Sequence, residues 1–312
     1  MSLPNFILIS IGAVFLFLVL LNIVKAINTA KATAYSFVNK IRCAPSNWCP
    51  PKIDSTLEAP GPLGSPAIDR QAQRFCADLI GRITLKTTPY VVENPPGCEI
   101  IYLWSDDAQY PSFCLAWKLI GTNVCFVAVR GTMSLAEVIV DLDYGQKPLP
   151  QTDQALGILV HSGFTDLYER IRPELEQALP DKSLATVYVC GHSLGAGIAT
   201  LCAIGLRQAG FIRVATYLFA SPRVGNKALR NYIDVTLGMP VFRLENTCDV
   251  VPTLPLSVCP NFEEPTEPFM YEPVGAVETF QENRKSLQNN HLISAYIDFL
   301  VNKTINDEMS IK

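Results

Sequence analysis

The pentapeptide Gly191-His192-Ser193-Leu194-Gly195 and a total of three histidines, at 161, 192 and 291, bound the chemistry open to this chain. The pentapeptide follows an apolar, β-branched run from Ala185 to Cys190. A small-residue helical pattern, Ala196, Gly197, Ile198, Ala199, Leu201, Cys202 and Ala203, begins directly after it. The stretch reads as strand, sharp turn, helix. In such an elbow the serine sits in a strained backbone position that lifts its hydroxyl above the sheet, and the glycines keep side chains out where strand and helix nearly touch. A bare Gly-x-Ser-x-Gly is frequent by chance, and its plain reading is a serine in an ordinary turn. The flanking elements favour Ser193 as a nucleophile.

A serine hydroxyl needs a base to take its proton, and that base needs an acid to hold its tautomer and balance its charge. In α/β-hydrolase chains these follow in the order Ser, acid, His, and His291 is the sole histidine downstream of Ser193. His192 is excluded because a residue beside the nucleophile in a strained turn must point its side chain away. His161 precedes the elbow and is expected to be a structural histidine bracing the sheet. Asp249 is the expected acid. It lies in Asn246-Thr-Cys-Asp249-Val-Val-Pro252, just past a predicted strand at Val241 to Leu244, where the carboxyl ends of parallel strands place functional loops. Glu245 is the alternative, and a surface ion pair is the plain role for either carboxylate. Two oxyanion donors are expected, the N–H of Leu194 and the N–H of Thr132, the latter possible with its hydroxyl as well.

These side chains need a scaffold, and the hydrophobic pattern supplies one. Helical spacing runs from Ile68 to Ile83. Strand-like runs follow at Glu99 to Trp104, Phe113 to Ile120 and Val124 to Val129, the last two joined by a hairpin signal at Gly121-Thr-Asn123. Leu135, Val138, Ile139 and Leu142 then form one apolar face of a short helix, and Gly145 to Gln154 is polar and proline-broken. A helix from His161 through Leu179, the elbow strand Thr186 to Cys190, a strand at Arg213 to Phe219, a helix at Lys227 to Val235 and a closing helix at Leu292 to Val301 complete the order. Strands alternating with helices predict an α/β fold, a mostly parallel central sheet with helices on both faces, led by an antiparallel meander.

At 312 residues, 49% hydrophobic and 17% charged, with a net charge of -4, the chain can bury a sizeable core and carries no basic footprint for nucleic acid. The histidines show no zinc spacing, and no cofactor or metal is expected. Phe6 to Val24 is uncharged and apolar, long enough to cross a hydrocarbon core of roughly 30 Å as a helix. A retained single-pass anchor over residues 1–25 is favoured over a cleaved signal peptide, because Met1 to Asn5 has no Lys or Arg, though Ala32-Thr-Ala34 argues for cleavage. Lys25, Lys31, Lys40 and Arg42 after the span lean towards a cytosolic domain. Residues 26–66 read as a proline-rich tether, and residues 67–312 as the globular domain. Ten cysteines leave redox compartment open; Cys43 with Cys49, Cys98 with Cys114, and Cys248 with Cys259 lie in or near loops and could pair in an oxidising compartment.

Val129-Arg-Gly-Thr132, Val160-His-Ser-Gly-Phe164, Gly191 to Gly197, Ala220-Ser-Pro-Arg-Val-Gly-Asn226, Asn246 to Asp249 with Val251-Pro252, and His291 together resemble the class 3 lipases, the fungal triacylglycerol lipase-like group. The resemblance covers roughly Ile68 to Val301. It implies an α/β-hydrolase with a Ser193, Asp249, His291 triad, Thr132 and Leu194 as oxyanion pair, and a lid at Ser134 to Leu142. Two departures stand out: Val250 where the family commonly has proline, and a lid without the frequent tryptophan. The implied activity is hydrolysis of lipid esters, as an acylglycerol lipase, with phospholipase A1 or diacylglycerol lipase as alternatives and an inactive lipid- or protein-binding module as the rival from another class. The implied partners are a lipid ester and a membrane surface, with no nucleic acid and no obligate protein partner.

Overall fold

The computed structural model describes residues 56–61, 68–84, 92–105, 113–131 and 144–310. The predicted span, most of the tether, Thr132 and the lid segment Ser134 to Leu142 lie outside the described residues, as do Cys43 and Cys49. Among the described residues no helix is long and apolar enough to cross a membrane.

The first helix, α1 (Arg70–Thr84), buries Ala72, Phe75, Cys76, Leu79, Ile80 and Ile83, the i, i+3, i+4 stripe that its sequence spells out. Three strands follow, β1 (Cys98–Trp104), β2 (Cys114–Leu119) and β3 (Val124–Val129), paired antiparallel as a meander. β4 (Gln146–Pro148) and β5 (Leu159–His161) form a separate two-stranded sheet, so part of the proline-broken segment is ordered as a strand after all. Next come α2 (Ser162–Ala178), β6 (Thr186–His192), α3 (Leu194–Gln208), β7 (Arg213–Phe219), α4 (Lys227–Asn231) and β8 (Val241–Asn246). The chain closes through a small ribbon, β9 (Val258–Cys259) with β10 (Phe269–Met270), then β11 (Ala276–Phe280), α5 (Leu287–His291) and α6 (Ile293–Ser310).

Among the described residues the main sheet has seven strands in the order β1-β2-β3-β6-β7-β8-β11, and every pairing from β3 onward is parallel. β3 and β6 are buried at every residue, as a parallel sheet covered on both faces requires. One core layer packs under α2 and α3, the other under α1 and α6. β11 has no counterpart in the strand reading of the sequence: its residues Ala276 to Thr279 stay largely exposed at the sheet edge, so the apolar run that marks an inner strand is missing.

Three further expectations change. The helix predicted over Lys227 to Val235 is α-helical only to Asn231 and continues as a π-helical turn over Tyr232–Leu237, closed by Gly238 in the left-handed conformation that glycine tolerates. Cys98 faces Leu119 and Cys114 faces Trp104, at opposite ends of the β1–β2 pair, so those two thiols cannot reach each other. They are free, as are Cys248 and Cys259. Finally, the end of the predicted tether lies on the domain: Tyr188 donates its hydroxyl hydrogen to the Gly61 carbonyl (2.8 Å), and Leu57 and Ala59 pack against the α1 side of the core.

Candidate active site

The elbow is built by close approach of main chains. Ser193 has φ 59° and ψ -132°, a strained conformation for a residue with a side chain, between the end of β6 and the start of α3. A Cβ on Gly195 would lie 2.3 Å from the Val129 carbonyl oxygen, and one on Gly191 would lie 2.3 Å from the Gly195 carbonyl oxygen. Neither site admits any other residue without moving main chain, at the end of β3 for Gly195 and at the start of α3 for Gly191. The turn is further pinned by the Ser193 N–H donating to the Phe219 carbonyl on β7 (3.0 Å).

His291 stands at the end of α5, with its Nε2 2.8 Å from Ser193 Oγ and its Nδ1 2.7 Å from Asp249 Oδ2. A carboxylate only accepts, so Nδ1 carries the hydrogen of the neutral ring, and Nε2 is left as the acceptor for the serine hydroxyl. Asp249 lies in a turn just past β8, closed by its own N–H donating to the Asn246 carbonyl (2.8 Å). Its side chain is fully buried. Oδ1 accepts from the Val251 N–H (3.0 Å), and Oδ2 accepts a second bond from the Tyr296 hydroxyl (2.7 Å). Burial pushes the carboxyl towards the neutral form, but His291 and these hydrogen bonds outweigh it and hold Asp249 below the usual carboxylate range. The same burial, reinforced by the Asp249 charge, pushes the Tyr296 hydroxyl well up.

The other candidates fall elsewhere. Glu245, still on β8, pairs with the buried Arg243 guanidinium at 2.5 Å. His161 is not part of the main sheet; it ends β5 and caps α2, its Nδ1 accepting from the Phe164 N–H (3.3 Å) while its ring stacks on Phe164. Leu194 opens α3, so its N–H is among those a helix leaves without an internal acceptor. Gly131, one residue before Thr132, is packed so tightly on the elbow that a Cβ there would lie 3.0 Å from the Ser193 Cβ.

His192 makes a contact that reasoning from the sequence did not foresee. Its Nε2 donates to the main-chain carbonyl of His291 (2.8 Å), a carbonyl being able only to accept. Burial, with the neighbouring His291 adding to it, lowers the His192 pKa to about 3, so the ring stays neutral. Asn290 and Tyr296 were not anticipated, and Asn246, quoted in the stretch that carries Asp249, was given no role. Their closeness in sequence to Asp249 and His291 is the signal that Asn246 and Asn290 offered.

An α/β-hydrolase fold with serine, histidine and aspartate converging at the nucleophile elbow is thus the class defined by architecture and site. Comparison with known proteins agrees. The family model for lipase (class 3) matches residues 126–259, from within β3 to the end of β9, a span that holds Ser193 and Asp249 and stops short of His291. The lipase of Rhizomucor miehei is 36% identical over 165 residues, 50% of this chain and 44% of that protein. Secreted mono- and diacylglycerol lipase A of Penicillium camembertii is 37% identical over 140 residues, 43% of this chain and 44% of that one. The chain therefore spans under half the length of these curated relatives. Among solved structures, a propeptide complex of the Rhizomucor miehei lipase superposes with a TM-score of 0.53 at 25% identity, covering 72% of this chain and 73% of that one.

Proposed function

We propose that this chain is a serine hydrolase of lipid esters, an acylglycerol lipase that works through an acyl-enzyme. The observation that carries the reading is the unbroken hydrogen-bond chain from Asp249 through His291 to Ser193, at 2.7 and 2.8 Å, on an elbow with strained serine geometry. His291 Nε2 takes the Ser193 Oγ proton as Oγ attacks the ester carbonyl, and Asp249 stabilises the imidazolium that forms. The Leu194 N–H, with Thr132 as partner, receives the charge on the carbonyl oxygen. The imidazolium then protonates the departing glycerol oxygen. Water, activated by the same imidazole, releases the fatty acid and restores Ser193. The names of the relatives, lipase and mono- and diacylglycerol lipase, support the choice of acylglycerol substrate.

The apolar stretch Phe6 to Val24 supports a single-pass anchor that keeps this site beside a bilayer, with the flanking positive charges favouring the cytosolic face. Protease protection of a C-terminal tag in sealed membranes tests that placement.

Two measurements test the catalytic reading. A fluorophosphonate probe should label the wild-type chain and not Ser193→Ala, and Ser193→Ala should lose on the order of 10⁵-fold in ester turnover while still folding. Equal labelling of the two refutes the assignment. Fatty acids released from vesicles of mixed acylglycerols and phospholipids then separate an acylglycerol lipase from a phospholipase A1.

A further inference from the structure

α5 is five residues long, too short to hold its own place, and it carries the base at its last position. The final carbonyls of a helix have no internal partner. Here two consecutive ones are held by side chains from elsewhere. The Asn290 carbonyl accepts from Asn246 Nδ2 (3.1 Å), and the His291 carbonyl accepts from His192 Nε2 (2.8 Å). Asn246 ends β8 and opens the turn that carries Asp249; His192 ends β6 and precedes Ser193. Each of the other two members of the constellation therefore stands beside a donor that grips the main chain of the base.

Both donors are themselves fixed. Asn246 Oδ1 accepts from the N–H groups of Cys248 (3.1 Å) and Glu282 (3.0 Å), and its Nδ2 also donates to the Glu282 carbonyl (2.8 Å). Asn290 answers from the other side, its Nδ2 donating to the Cys248 carbonyl (2.9 Å) in the acid turn. The His192 ring lies with its centroid 4.7 Å from that of His291 and meets Tyr296 edge-on at 5.9 Å.

We infer that Asn246 and His192 are paired positioning residues: by holding the last two carbonyls of α5 from the acid's turn and from the nucleophile's strand, they set where His291 sits between Ser193 and Asp249. The inference rests on the catalytic roles proposed above. What the device needs from position 192 is an N–H of the right reach, not a charge. An imidazole that drifts by an ångström loses on the order of a hundredfold in rate, because proton transfer depends on aligned, short contacts.

The test uses the full chain, with a short-chain nitrophenyl ester for kcat and KM and a fluorophosphonate for the labelling rate. His192→Leu should lower kcat on the order of tenfold to a hundredfold with KM changed by less than about threefold, because the lost term belongs to the transition state. His192→Gln, whose amide has similar reach, should recover to within about fivefold of wild type. Its pH profile should keep the wild-type shape, since a neutral His192 takes no part in the titration. Asn246→Asp keeps the acceptor oxygen and removes the donor, and should lower kcat by a similar factor. The inference is overturned by folded His192→Leu and Asn246→Asp that both keep wild-type kcat, or by a Gln variant no better than the Leu variant. If His192→Leu shows no cooperative melting transition, His192→Asn against His192→Gln decides the matter: the shorter amide should be slow, and equal rates overturn the idea. Slow but complete labelling of His192→Leu, beside no labelling of Ser193→Ala, supports positioning. A wild-type chain that takes no label overturns the catalytic reading, and this inference with it.

Discussion

Ser193 and His291 are 2.8 Å apart, yet the turn that carries the serine is held by main chain pressed on main chain, while the helix end that carries the histidine is held by side chains reaching in from β6 and β8. At the elbow β3, β6 and α3 touch so closely that two glycines have no room for a methyl group. Around His291 the backbone is a five-residue helix, and its place depends on Asn246, Asn290 and His192. The difference teaches that one half of the reaction centre is a property of the sheet and the other a property of a buried polar network. The first should break all at once, and the second by degrees.

The largest effect should come from the sheet-built half. Gly195→Ala puts a carbon against the Val129 carbonyl and the Arg130 main chain, neither of which can move without moving β3. We expect a loss of stability on the order of 3–5 kcal/mol and no turnover, read by thermal melting and ester hydrolysis. A variant that melts like wild type would show that the elbow has slack. Next, Asp249→Asn should keep the fold but cut kcat by on the order of 10⁴-fold, since an amide can donate to His291 and favour the wrong tautomer. A loss of less than about tenfold would transfer the acid's role elsewhere.

Tyr296→Phe probes the network more gently. It removes one donor from Asp249 Oδ2 and one acceptor from the Asn246 N–H, and should cost about 1.5–3 kcal/mol of stability at neutral pH. The pH dependence has a definite sign. The carboxyl of Asp249 is held below its unfolded value, so its contribution is complete above about pH 4 and fades as pH falls through the folded pKa. The gap between wild type and Tyr296→Phe should therefore close on acidification below about pH 4. Urea melts at a series of pH values read it, and a gap that widened there would contradict the assignment of the Tyr296 bond to the ionised carboxylate.

The smallest effect on rate is expected at Glu245. Glu245→Gln leaves the buried Arg243 without its carboxylate, so stability should fall by about 1.5–3 kcal/mol. Turnover per folded molecule should stay within about threefold of wild type. A collapse in kcat without loss of fold would make Glu245 part of the reaction centre.

Legibility along the chain followed the same division. The parallel strands β3, β6 and β7 and the helices α1, α2 and α3 were readable because burial on one or two faces leaves a period in the sequence. β11 was not, because an exposed edge strand whose register is set by β8 carries no such period. The π-helical turn after Asn231 was equally invisible, since its hydrogen bonds shift by one residue without any change in residue type. His161 has the structural role expected of it, but on the small β4–β5 sheet and as the cap of α2 rather than on the main sheet, because its ring binds the Phe164 amide three residues on.

By itself, the sequence determined the elbow, the order of serine, acid and base, and the sheet that aligns them, because each of these is written in local spacing: a glycine two residues to either side of Ser193, a run of β-branched residues before it, a single histidine after it. Only the tertiary structure decided how His291 is held. Asn246, 45 residues before it, and His192, 99 residues before it, meet its helix end through a fold that no window of sequence contains. Hydrogen bonds between side chain and distant main chain leave no period, and the motifs that contain His192 and Asn246 do not say which main chain those side chains reach. The bonds exist only once the sheet has brought the ends of β6 and β8, with β7 between them, to the same edge of the molecule.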